Sequence, residues 1–130
     1  MSESNGYMTP FVGDGYDREA TIPGEPGFFS DIRLRYRLMS AEEESLVGAK
    51  INMHKDTAPT RFYAEAFAGG RKGDGKILDW DVKDRDGKKL DLTADNICGL
   101  SFPAYWAIRQ VVCGEVKIGE YETRSNDAKN

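Results

Sequence analysis

The chain has 130 residues, 39% of them hydrophobic and 11% aromatic, and a formal net charge of -4. A chain of that length makes one domain able to bury about two-thirds of its unfolded surface. Its acidic balance argues against broad, charge-driven binding to nucleic acid or an anionic membrane and leaves room only for local basic patches. No stretch approaches the ~20 apolar residues that a bilayer crossing needs, and the opening MSESNGYMTP is polar, so a cytoplasmic location is expected.

Residues 1–15 carry Gly6, Pro10, Gly13 and Gly15 without periodicity and read as a flexible arm. A short apolar run at residues 20–22, followed by Pro23, Gly24, Pro26 and Gly27, predicts a first strand and a wide turn. In DIRLRYRLM, Ile32, Leu34, Tyr36 and Leu38 alternate with Arg33, Arg35 and Arg37, the period of a half-buried strand. Ser40 and Glu43 then stand at capping-box spacing and open an amphipathic helix that ends near Lys55. Thr57 and Pro59 start a second helix with an aromatic face of Phe62, Tyr63 and Phe67, stopped by Gly69 and Gly70.

Downstream, KILDWDVKDRDGKKLDL sets Leu78, Trp80 and Val82 on one face, then a polar turn, then Leu90 and Leu92, which predicts a hairpin over 76–92. Thr93 caps a short helix through Ile97 and Leu100. Pro103 falls in the first turn of a last helix that runs to Val112 and stops at Gly114. Residues 115–130 end in TRSNDAKN and read as a loose tail. The expected fold is therefore α+β over residues 16–114, a small antiparallel sheet from the N-terminal strands plus the 76–92 hairpin, packed against three or four short helices.

Four motifs invite chemistry. AGGRKGDGKIL, residues 68–78, spaces Gly70, Gly75 and Lys76 much as a phosphate-cradling loop does. Such a loop joins a strand to a helix and carries Ser or Thr after its Lys. Here a helix comes first, a strand follows and Ile77 takes the hydroxyl's place, so a plain connection that binds no nucleotide is expected. DRDG, residues 84–87, alternates acids before a Gly like the middle of a calcium loop, but Val82 and Thr93 stand where the first and last ligands belong. His54 is the only histidine, which leaves zinc and histidine-activated nucleophiles without support. Cys98 and Cys113 lie among apolar residues and read as buried free thiols. No metal or cofactor is expected, and the carboxylates form no acid–base pattern, so the chain is expected not to be an enzyme.

Two segments are candidates for contact. Arg33, Arg35 and Arg37 make a basic strand face, yet the period of two puts Tyr36 on the opposite side. A platform for single-stranded nucleic acid needs aromatic and basic groups on one surface. A solvated face with cross-strand pairing to Asp79 and Asp81 is expected first, then a protein contact, then nucleic acid. In the last helix only Arg109 and Gln110 are strongly polar, and a helix so apolar is either core or a docking site. A small domain covers only part of a helix's circumference. Some of Tyr105, Trp106, Ile108 and Val112 are therefore expected to reach the surface, for a partner, or a self-association interface, with core as the alternative for any one of them.

RYRLMSAEEE, ILDWDVKDRDGKKLDLTADNICGL and PAYWAIRQVVCG together, spanning about residues 33–114, resemble small proteins of bacteriophage and prophage structural modules, especially tail assembly chaperones and their neighbours. The residues that match are Tyr36, Arg37, Ser40, Glu43, Trp80, Asp86, Gly87, Thr93, Asn96, Leu100, Pro103 and Gly114. The resemblance implies a non-enzymatic morphogenesis protein that binds a tape measure or tube protein in the cytoplasm of a bacterial host or within the virion. The Gly- and Pro-rich first 30 residues and the short tail depart from many such chaperones and leave open a head-to-tail or tail accessory role. Rival readings are a small acidic prophage inhibitor of a host nucleic-acid enzyme, which would cluster Asp79, Asp81, Asp84 and Asp86 on one exposed edge, and an enzyme built from scattered carboxylates.

Overall fold

Alternation in IRLRY dictates the centre of the sheet. The computed structural model describes residues 17–71 and 74–115, and the backbone of 122–125. The predicted arm at 1–15 lies outside these residues, as does most of the 115–130 tail. Strand β1 (Arg18–Ile22) pairs antiparallel with β2 (Ile32–Tyr36) from Arg18↔Tyr36 to Ile22↔Ile32. Ile32, Leu34 and Tyr36 point inward and are buried, while Arg33 and Arg35 point out and are exposed. The connecting turn is tightened by Pro26 and by Gly27 at φ 86°, with Phe28 N donating to Glu25 O at 2.9 Å. Pro at the second and a left-handed Gly at the third position are the requirements of a type II turn.

Helix α1 (Ala41–Met53) begins at the predicted capping box. Glu43 N donates to Ser40 Oγ at 3.2 Å and Ser40 N to Glu43 Oε1 at 2.8 Å. Helix α2 (Pro59–Ala68) has Pro at its start and ends at Gly69, φ 75°. Strand β3 (Ile77–Trp80) joins the free side of β2, with a bulge between Arg35 and Tyr36. Thr93 caps α3 (Ala94–Cys98) through Asn96 N at 3.1 Å. Ser101, two positions ahead of Pro103, caps α4 (Phe102–Val112), with Pro103 in its first turn as expected, and Gly114 at φ 73° follows its end. Strand β4 (Glu122–Ser125) pairs with β1, giving the order β3-β2-β1-β4. The fold is α+β: the inward side chains of β1, β2 and β3 form one core with Val47, Tyr63, Phe67, Ile97 and Ile108 from the four helices.

Two features differ from the sequence reading. Residues 122–125 form an edge strand within the segment read as a loose tail. The hairpin keeps its turn but not its second strand. Beyond the turn only an isolated Lys83↔Lys89 bridge and the Leu90 N to Val82 O bond of 2.8 Å remain. Two lysines directly opposite each other disfavour a longer ladder. The Trp80 indole also claims the Leu90 carbonyl, at 2.8 Å, that such a ladder would use.

Candidate protein-contact surface

Two of the three arginines are paired with a carboxylate from within the chain. Registration sets Arg35 between Glu19 and Asp79. Asp17 lies 3.0 Å from Arg35 and 3.4 Å from Arg37, and the Arg33 amide donates to Asp81 at 2.7 Å. Lys89 bonds Asp79 at 2.8 Å and holds its carboxyl below the usual value, against an opposing push from burial. Tyr36 is buried on the far side, as the period of two requires. The aspartates of this stretch are engaged in hydrogen bonds as well. Besides the bonds of Asp79 and Asp81, Asp84 Oδ1 accepts the amides of Asp86 at 2.8 Å and Lys88 at 3.0 Å, so DRDG is a side-chain-closed turn with Gly87 at φ 83°.

AGGRKGDGKIL is a helix-to-strand connection. Lys76 Nζ reaches Glu43, 2.9 Å from each carboxylate oxygen, and so ties the connection to the capping box of α1. Burial pushes the Glu43 carboxyl up, but the Ser40 amide and Lys76 together bring it below its usual value. A depressed carboxyl stabilises the fold above its unfolded value, and that contribution is lost as pH falls through the folded value. Glu43→Gln is expected to lower stability by about 1 kcal/mol at pH 7. Denaturant titration at pH 7 and at pH 3 checks this; a gap between variant and wild type that stays the same at acid pH would refute the linkage.

For α4 the contact set has to be corrected. Tyr105 is 4% exposed and Ile108 and Val112 are fully buried, so these three are core. They share the inward stripe with Ala104 and Val111, at the spacing of one helix face. The outer side instead carries Phe102, 68% exposed, and the half-buried Trp106 and Arg109. The sequence reading puts Pro103 in the first turn but names no cap; Ser101 as the cap places Phe102, Trp106 and Arg109 at i, i+4 and i+7.

On this side the Phe102 and Trp106 rings stack at 5.8 Å with an interplanar angle of 25°. The Arg109 guanidinium lies 4.0 Å from the Tyr63 ring centroid and 5.0 Å from that of Trp106. Tyr63 in turn donates its hydroxyl to Glu44 at 2.7 Å. Arg109 makes no ion pair among the described residues. Its Nε and the Tyr105 hydroxyl are buried beside each other without completing a well-formed hydrogen bond. Burial, with the Glu44 bond, pushes Tyr63 up to about 12. Burial, helped by Glu115 and Glu44 and opposed by Arg109, pushes Cys113 up to about 11. Both groups therefore stay protonated at neutral pH.

Cys98 and Cys113 are free and half-buried rather than fully buried, with Cys113 Sγ 3.7 Å from Met39 Sδ. His54 is exposed, its ring 5.9 Å from that of Phe62. Among the described residues, no group of His, Cys, Asp and Glu is placed to hold a metal ion, and no helix is long and apolar enough to cross a membrane. A scan against models of known protein families and searches of curated proteins and of solved structures find no match to the chain.

Proposed function

We propose that the chain is a non-enzymatic phage or prophage morphogenesis protein of the tail-assembly-chaperone kind, holding another virion protein against the outer side of α4. One observation supports protein binding. An exposed Phe102 stacks on Trp106, with Arg109 next along the helix and without a carboxylate among the described residues. Trp and Arg carry much of the energy of protein interfaces, and a cation held between rings is ready to receive an acid from a partner. The phage assignment rests on the resemblance carried by residues 33–114, and it makes the partner a tape measure or tube protein.

Co-expression with the long reading frame beside its gene tests this proposal. Wild type should keep that product soluble, and Phe102→Ser with Trp106→Ser should not. Phe102→Ser alone should leave thermal melting within about 0.5 kcal/mol of wild type, because the side chain is largely in water. A long product equally soluble with and without the chain would overturn the reading.

A further inference from the structure

Helix α1 meets the core through buried Val47 and half-buried Ile51, and it leaves its most regularly spaced apolar residues in water. Leu46 is 58% exposed and Met53 76%, with Ala49 exposed between them. The steps from Glu42 to Leu46, Ala49 and Met53 are four, three and four residues, the period by which one helix seats along another. Gly48, beside this seam, has nothing within 4 Å of the place a Cβ would take. The chain's own packing therefore asks for no glycine there, although glycine weakens a helix interior. With Ala49 at the middle of the seam, a second helix can come close.

Charge selects the occupant. Two exposed groups at this seam make no ion pair among the described residues, Glu42 in the first turn of α1 and Lys50 in the last. Glu43 and Glu44 are already engaged, by Lys76 and by the Tyr63 hydroxyl, and Lys55 and Asp56 beyond the helix carry opposite signs. The exposed face is therefore acidic at its start and basic toward its end. A parallel copy would set like charges together, whereas an antiparallel copy sets unlike charges together and opposes the two helix dipoles. The one helix on which this charge order is certain to occur is α1 itself. We propose that this face pairs with α1 of a second copy, antiparallel about a two-fold axis near the middle of the helix. Leu46 then lies against the partner's Met53, and Lys50 is within reach of the partner's Glu42. One patch serves both subunits, as two-fold symmetry requires, and it uses none of Phe102, Trp106 and Arg109.

Sedimentation equilibrium of the full chain, from micromolar to millimolar concentration, tests the proposal. Wild type should show a monomer–dimer equilibrium that weakens as salt is added. Leu46→Ser with Met53→Ser should weaken it by about tenfold or more. Glu42→Lys alone and Lys50→Glu alone should each weaken it by about tenfold, and an equimolar mixture of these two variants should recover it, because each subunit then meets opposite charges. Thermal melts of dilute samples should show the fold intact in all of these exposed substitutions. Phe102→Ser with Trp106→Ser should leave the dimer unchanged, which separates this face from the outer side of α4. A chain that stays monomeric at every concentration, a dimer indifferent to Leu46→Ser with Met53→Ser, or a mixture no more associated than its two components would each overturn the proposal.

Discussion

Trp80→Ala is expected to lower the stability of the fold by about 3 to 5 kcal/mol, the range for deleting a buried aromatic side chain. Trp80 is 2% exposed, opposite Leu34 at the edge of the sheet, and its indole N–H holds the Leu90 carbonyl at 2.8 Å. Removing it both opens a cavity and leaves that carbonyl without its donor. Small domains have roughly 5 to 15 kcal/mol in total, so the variant would approach the limit of folding. Urea titration reads the loss directly. Trp80→Phe divides it: the ring refills much of the space but cannot donate, and should cost about 1 to 3 kcal/mol. A midpoint for Trp80→Ala equal to that of wild type would remove Trp80 from the core.

Gly75→Ala should cost about 3 kcal/mol, the upper end of the usual range for overpacking. A methyl group there would run into the carbonyl oxygen of Phe67 and the carbonyl group of Ala68. These are backbone atoms of the last turn of α2 and cannot rotate away as a side chain would, while the Lys76 N to Ala66 O bond of 3.1 Å holds the returning chain against that turn. Gly70 has nothing within 4 Å of the same position, so Gly70→Ala should change stability by less than about 0.5 kcal/mol. Paired thermal melts of the two variants check the contrast, and equal melting temperatures would refute it. Of the two glycines that give this stretch its nucleotide-loop spacing, Gly70 stands in open space and only Gly75 is required by a close approach. Gly69 ends a helix with φ 75°, and Gly75 lets the returning chain touch that helix.

What could be read in advance was local. The alternation of Ile32, Leu34 and Tyr36 with arginines, the Ser40 and Glu43 cap and the Asp-Gly turn each need only a few neighbouring residues, and each formed as the pattern demands. The side that α4 buries was not legible, because a helix apolar almost all round carries no phase in its sequence. Its orientation is set by distant groups such as Tyr63, whose ring receives Arg109. The second limb of the hairpin shows the converse: Leu90 and Leu92 have a strand's period, but the Trp80 indole captures the Leu90 carbonyl. The bond from Lys76 to Glu43 joins a loop to a helix cap and has no sequence signal at all. The outer surface of α4 followed from a correct premise, that part of the helix stays uncovered, applied to the wrong residues except Trp106.

The strand order also sets a timetable for synthesis. β1 is the first described strand to leave the ribosome, and its outer neighbour β4 is the last, with Arg18 opposite Ser125. At ordinary translation rates on the order of ten seconds separate the two. During that interval β2, the helices and β3 can assemble on the inner side of the growing sheet, while β1 keeps a row of unbonded amides and carbonyls along its other edge. A nascent chain stalled before residue 122 would carry most of its core and would expose β1 as an edge in addition to β3, the form most apt to pair with a second copy. Translation of residues 122–125 is thus the step that covers the outer edge of β1.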